Sequence, residues 1–372
     1  MGFWDQAQGA AIFKHAILRQ YSPIFVNKVG RRSPANRVEI LDGYAGQGWY
    51  NNGDPGSPAV FLETAELLKN SRQVHCTFIE EDPRTFAKLK EMLDQTGVPH
   101  ERATILPGTM SEHLDEVLQR AEGVPLFVFV DPFGLGLPFE ELVGKLMRPQ
   151  ARQAPTEVLF SFIRSAVYRQ IGLLHPETTN LAQLRAARSK VIELDRDLGG
   201  DWWRKLEGTS ADRLVSQVRD GYIDHIQEAC PGLKVLQVPV ADMTDYKPVY
   251  DLLFFTRHDQ GRWFFNDAVS LARPVFADHC DPTGFMRPQL FTPDAEWEAE
   301  IATNLRQLLA QKGQVLFLRD MVQVYGDTLG KARGKHVKAA ARKLVTEGVA
   351  EGDTKTDPHL IKLTAKRLRA VS

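Results

Sequence analysis

Arg37-Val-Glu-Ile-Leu-Asp42 runs without a break into Gly43-Tyr-Ala-Gly-Gln-Gly48. A short apolar strand that ends in an acid and opens onto glycines is the first unit of a parallel α/β sheet. Glycine lets the backbone turn tightly and approach a ligand closely. The spacing is DxxxGxG, not the dinucleotide pattern GxGxxG, and any tight strand-to-helix turn could use it. In open parallel sheets, ligands bind beyond the carboxyl ends of the strands. The residues that follow each strand therefore carry the functional reading.

The alternation continues outward from this unit. A turn cluster, Gly53 to Pro58, leads into a helix over Pro58 to Asn70. A second strand, Val74 to Ile79, ends in Glu80-Glu81-Asp82-Pro83, and a helix over Pro83 to Thr96 follows. A third strand, Ala103 to Leu106, meets Pro107-Gly108-Thr109 and a helix over Ser111 to Arg120. A fourth, Leu126 to Val130, terminates in Asp131-Pro-Phe-Gly134. A helix over Phe139 to Met147 precedes a fifth strand, Glu157 to Phe162. Near-continuous apolar strands alternating with helices predict a doubly wound, mostly parallel, Rossmann-like sheet covered on both faces. Upstream, Ile12 to Val26 reads as an amphipathic helix that Pro23 ends or kinks. Residues 170–232, Trp202-Trp203 included, read as a helical insertion. Val235 to Val240 and Tyr250 to Thr256 read as an antiparallel pair at the sheet edge.

The 372 residues suffice for two or three domains. With 46 Lys and Arg against 47 Asp and Glu, the net charge is −1. That argues against a strongly basic, histone-like protein and against tight non-specific binding to long duplexes. Three cysteines stand far apart with no CxxC, so a disulfide framework or zinc ribbon is not expected. No apolar run approaches the roughly 20 residues of a membrane helix. The first residues put no basic region before an apolar one, so a cytoplasmic protein with no membrane contact is expected.

The charge is uneven. Residues 291–372 hold 14 Lys and Arg against 10 Asp and Glu. Phe285 to Asp294, with two prolines, reads as a linker between a first domain, 1–284, and a second, 295–372. The second domain shows three helices and a hairpin, the order of a winged helix. Its third helix carries the most basic stretch, Lys331 to Lys343, with six basic residues and no acid. In helix-turn-helix proteins that helix enters the major groove. Arg333, Lys335, Lys338 and Arg342 are therefore candidate nucleic-acid contacts. The alternative is a solvated lysine-rich face or a protein-docking surface.

Each strand end offers a group with a chemical use. Glu80 can accept both hydroxyls of a ribose, or cap the following helix, a role closer to Glu81 and Asp82. Gly108 and Thr109 can lie beneath an adenine ring, or form a plain turn. Asp131 follows six apolar residues without a cation, and an acid so placed has a function or a partner. Asp131 and the carbonyl of Pro132 can accept hydrogen bonds from an exocyclic amine, and Phe133 can stack on its ring. Such a site works by positioning. Arg164 and Arg169, beyond the fifth strand, could contact phosphate or be surface charge.

The order KH, DGYAGQGWY, GSP, FIEEDP, PGT, FVFVDPFG resembles class I S-adenosylmethionine-dependent methyltransferases. It is most similar to the three-Cys-motif partner (TcmP) family, which adds a C-terminal winged helix of the GMT-like type. The resemblance covers nearly the whole chain. More distantly, the KH helix, AGxGxY-like turn, GSP and acid-Pro motif are similar to the ribosomal RNA large-subunit adenine-N6 methyltransferase J family. By position, the resemblance assigns Lys14, His15, Asp42, Tyr44, Gly46, Gly48, Glu80, Gly108 and Thr109 to the cofactor S-adenosylmethionine. It assigns Asp131, Pro132 and Phe133 to the target amine. It also implies a separate partner bearing three cysteines, of a radical-S-adenosylmethionine-like kind. One feature departs from the adenine-N6 pattern: Phe133 and Gly134 stand where Pro and an aromatic are expected. DPFG instead resembles tRNA guanine-N2 dimethyltransferases. The resemblance thus implies methylation of a nucleic-acid base amine, without deciding the base or DNA against RNA. A non-catalytic subunit that binds cofactor or tethers nucleic acid is the alternative. Transcriptional regulation would suit the tail but would leave the strand-end motifs unexplained.

Overall fold

The computed structural model describes residues 5, 7–99, 101–148, 152–174, 178–206, 210–243, 247–281 and 294–366. The chain divides into two compact units after Arg257.

In the first unit, β1 (Arg37–Asp42), β2 (Gln73–Glu80), β3 (Ala103–Pro107), β4 (Leu126–Val130) and β5 (Thr156–Ile163) are joined in parallel. The sheet is completed by β6 (Lys234–Val240) and β7 (Tyr250–Thr256), in the order β3-β2-β1-β4-β5-β7-β6. This is a Rossmann-like, mostly parallel sheet. Every residue of β4 is buried, as a strand covered on both faces must be. The strand order reverses between β1 and β4, so a crevice opens beyond their carboxyl ends. The last two strands pair antiparallel at the sheet edge, with β6 outermost. β7 lies between β5 and β6 and runs against both. All seven of its residues are buried, which suits an interior strand.

Helices α1 (Gly9–Gly30), α2 (Ser57–Leu67), α3 (Pro83–Thr96) and α4 (Met110–Arg120) follow the expected alternation. Pro23 does not end α1. It sits inside a helix of 22 residues. Burial of Tyr21, Ser22, Phe25 and Val26, and a 2.6 Å hydrogen bond between the Ser22 and Thr64 hydroxyls, outweigh the one backbone bond that proline removes. The helix after β4, α5 (Phe139–Glu141), is a single turn that continues in wider π-type turns over Leu142–Met147. The insertion comprises α6 (Arg164–Ile171), α7 (Leu181–Leu198) and α8 (Ala211–Ala229). Trp203 is buried in its core beside Leu194, Leu198 and Tyr222.

The second unit begins earlier than the prolines suggest. Helix α9 (Asp259–Cys280) belongs to it rather than to the sheet domain, and most of the expected linker, 285–293, lies outside the described residues. The attachment is polar and buried. Asn266 donates to the Ala332 carbonyl at 2.9 Å and accepts from Gly330 N at 2.6 Å. Asp267 accepts from Gly334 N at 3.0 Å. No periodicity within 259–280 reveals these distant partners. Then follow α10 (Asp294–Lys312), β8 (Gln314–Leu316), α11 (Met321–Tyr325), α12 (Gly334–Thr346), β9 (Ala350–Glu351) and β10 (Lys362–Ala365). The three strands form an antiparallel sheet in the order β8-β10-β9. Among the described residues, no helix is long and apolar enough to cross a membrane.

One buried acid in the first unit has a measurable consequence. Glu157 accepts from the Tyr21 hydroxyl at 2.6 Å and the Thr256 hydroxyl at 2.7 Å. Burial nevertheless pushes its carboxyl up from 4.5 to about 7. A raised acid binds its proton more tightly folded than unfolded, so its contribution to stability declines as pH rises from 4.5 to about 7. Glu157→Gln is expected to stabilise the protein above that window, by at most about 3 kcal/mol, and to change little below it. Urea melts at about pH 8 and about pH 4 check this. Destabilisation at the higher pH would show the carboxylate to be a net stabiliser.

Candidate active site

A cavity of about 1040 Å³ opens at the carboxyl ends of β1, β2, β3 and β4. It brings together Lys14, His15, Tyr44, Gly46, Gly48, Glu80, Gly108, Thr109, Asp131, Pro132 and Phe133, contributed by five separate stretches of sequence. Of the residues assigned to the cofactor and the target amine, only Asp42 is not on its wall. Asp42 is fully buried behind Gly43, which is.

The floor is the turn after β1. Gly48 has φ +84° and Gly108, after β3, has φ +126°, conformations that L side chains rarely adopt. Asp42 accepts from Tyr44 N at 3.3 Å. Its Oδ2 is buried and meets no donor among the described residues. Burial raises its carboxyl to about 7. An acid oxygen kept from water without a donor is costly unless a ligand reaches it.

Glu80 closes β2. Its Oε2 accepts from Gly46 N at 2.8 Å and its Oε1 from Asp82 N at 2.9 Å. These bonds aim the carboxylate and leave lone pairs toward the cavity. Half-burial raises its pKa above the usual carboxylate range. Asp82 caps α3 by accepting from Arg84 N and Thr85 N. Thr109 caps α4 in a reciprocal pair with Glu112, so its hydroxyl is already engaged while the residue lines the cavity.

The opposite wall is built by α1 and the end of β4. Lys14 is buried and its Nζ is ion-paired with Asp131 Oδ2. The ammonium also lies 5.8 Å from the Phe129 ring centroid and 5.5 Å from that of Tyr250. Asp131 Oδ1 has no protein donor among the described residues, and the side chain is 21% exposed. His15 is buried beside the Tyr50 ring. Burial, and then the charge of Lys14, hold its imidazole well below its ordinary pKa, and therefore neutral. Phe133 is 77% exposed at the rim.

Tyr50, Tyr250 and Asp242 line the cavity without having been legible as site residues. Tyr250 donates to the Ala10 carbonyl at 2.6 Å, and Asp242 accepts from Ala10 N at 3.3 Å. They fasten the start of α1 over the site from a strand pair more than 200 residues away, beyond any local signal.

The arginines beyond β5 separate into two roles. Arg164 is not a surface charge: it pairs with fully buried Asp251 at 2.9 Å. Arg169 lines the cavity. In the second unit, Lys335, Lys338 and Arg342 lie along one face of α12, with Arg333 at its start. Two of these are partly engaged within the fold. Lys335 pairs with Asp294, and Lys338 donates to the carbonyls of Lys355 and Thr356 at 3.0 and 2.7 Å. Arg342 is exposed.

No family profile matches the chain, and no curated protein does. Among solved structures, the chain is similar to the methyltransferase domain of bacterial CtHen1-CN (14% identity, 64% of this chain and 99% of that one, TM-score 0.32). It is similar to SAH-bound methyltransferase PaMTH1 from Podospora anserina (15% identity, 63% and 76%, TM-score 0.32). It is also similar to the plantazolicin methyltransferase BpumL in complex with SAH (10% identity, 66% and 84%, TM-score 0.33). The assignment to a Rossmann-like α/β fold rests on the strand order itself.

Proposed function

We propose that this chain is an S-adenosylmethionine-dependent methyltransferase acting on an exocyclic amine of a nucleic-acid base. One observation carries the reading: Asp131 lines a cavity floored by a glycine turn, with Lys14 on its Oδ2 and no donor on its Oδ1 among the described residues.

The residues present suit the cofactor. Behind the wall at Gly43, the buried Asp42 carboxylate, with one oxygen that meets no donor among the described residues, adds to the acidic field. Glu80 is aimed by two backbone amides toward a ribose diol. Five acids on the wall, Glu80, Glu81, Asp82, Asp131 and Asp242, favour a ligand of net positive charge. Neutral His15 adds no opposing charge. When bound, S-adenosylmethionine supplies an electrophilic methyl group on a sulfonium.

The chain does the positioning. Asp131 Oδ1 and the Pro132 carbonyl accept hydrogen bonds from the two amine N–H groups and so direct the nitrogen lone pair. Phe133 stacks on the base. The proton shed by the methylated nitrogen passes to Asp131 Oδ1. The second unit reads as a winged helix whose α12 face adds backbone contacts. A separate three-cysteine protein is part of the proposal, and co-purification from co-expressing cells tests it.

Calorimetric titration with S-adenosylmethionine and S-adenosylhomocysteine tests the cofactor site. Micromolar binding, weakened at least about tenfold by Glu80→Ala, is expected. A labelled-methyl assay on RNA and DNA then tests the acceptor. Absence of binding, with and without the co-expressed partner, would leave a non-catalytic tethering subunit as the surviving reading.

A further inference from the structure

We propose that the outward face of α6 binds the nucleotide adjacent to the target base of a single strand, through Tyr168 on the base and Arg169 on the phosphate. The inference rests on the nucleic-acid reading above and deepens it.

Among the described residues, two cations line the cavity, Lys14 and Arg169. Lys14 is neutralised by Asp131. Arg169 has no carboxylate partner among the described residues. The cavity wall is otherwise acidic and repels a phosphodiester. A polynucleotide must therefore cross the rim where Arg169 stands, sending only an uncharged base inward.

Helix α6 is well held for this purpose. Ala166 and Val167 are buried on its inner side. Arg164 anchors its start, donating to Asp251 at 2.9 Å and to the Ser216 hydroxyl at 3.0 Å. Helical spacing then puts Ser165, Tyr168 and Arg169 on the outward side. Ser165 and Arg169 line the cavity, and Tyr168, 53% exposed, flanks them. An exposed aromatic beside an uncommitted guanidinium matches a stacked base and its phosphate. At the rim itself a single cation can meet one phosphate, not the several that a duplex would bring there, which favours a single strand at this site.

The test uses fluorescence anisotropy of short labelled RNA and DNA single strands and the matching duplexes, over a salt series, with S-adenosylhomocysteine present. Methyl transfer to the same oligonucleotides is measured in parallel. Arg169→Ala is expected to weaken single-strand binding about tenfold at low salt and to reduce the log–log salt slope by about 0.7. Tyr168→Ala should weaken it about tenfold with the slope unchanged, and Tyr168→Phe should restore it. Affinity for S-adenosylhomocysteine should be the same in all three variants, showing that the cavity is intact. If the wild-type chain methylates oligonucleotides but the variants match it in affinity and slope, the α6 site is wrong and the base reading survives. Equal or tighter binding of the duplex would overturn the single-strand assignment. If the wild-type chain neither binds nor methylates any oligonucleotide, the base reading falls and this site with it.

Discussion

Asp131→Ala should lower methyl transfer by about a thousandfold while leaving the affinity for S-adenosylhomocysteine within about threefold of wild type. The dissociation follows from where the side chain sits. Asp131 follows β4 and lines the cavity there, whereas the glycine turn and Glu80 lie across the switch point on β1 and β2. Removing the carboxylate deletes the acceptor that orients the amine. It leaves Gly46, Glu80 and the Asp42 oxygen in place. Asp131→Asn keeps an acceptor but weakens the hold of Lys14, so it should fall between the two. Single-turnover rates with saturating cofactor, beside calorimetric affinities, check the split. Full activity in Asp131→Ala would remove Asp131 from the reaction.

Lys14→Met should reduce kcat about tenfold to a hundredfold, with little change in cofactor affinity. The resemblance assigns Lys14 to the cofactor, yet the structure pairs its ammonium with Asp131. Methionine preserves most of the apolar stem of this buried side chain. What it removes is the charge that holds Oδ2, so Asp131 loses its fixed direction. Lys14→Arg should recover part of the rate, because a guanidinium can still reach the carboxylate. A positioning role moves kcat and is rescued by arginine. A cofactor contact would instead raise the S-adenosylhomocysteine Kd about tenfold or more and leave turnover at saturation intact.

The strand-end residues were legible for a local reason. Asp131 directly follows the apolar run Leu126 to Val130, and Asp42, Glu80 and Gly108 follow the shorter apolar pieces Ile40-Leu41, Phe78-Ile79 and Ile105-Leu106-Pro107. A parallel strand covered on both faces favours such apolar stretches, so its end and the next polar residue or glycine are marked in the chain itself. The interruption at Gly108 is equally local, since its left-handed φ is a property of one residue. Helix α9 is the opposite case. Its periodicity announces a helix, but its membership in the second unit depends on Asn266 and Asp267 meeting Ala332, Gly330 and Gly334. Of the two outcomes open to Pro23, ending or kinking the helix, packing of α1 removed the first, since the helix continues through it.

By itself, then, the sequence determined the number of strands in the first unit and their succession along the chain, the acids and glycines at their ends, and the basic face of α12. All of these depend on neighbours within a few positions. Only the tertiary structure decided the use of the charged groups. It joined Lys14 to Asp131 across 117 positions, took Arg164 into the interior with Asp251 across 87, and left Arg169 at the rim. An apolar strand is recognisable because burial acts on each residue separately. An ion pair depends on two groups meeting within a few ångströms, and that distance exists only once the chain has folded.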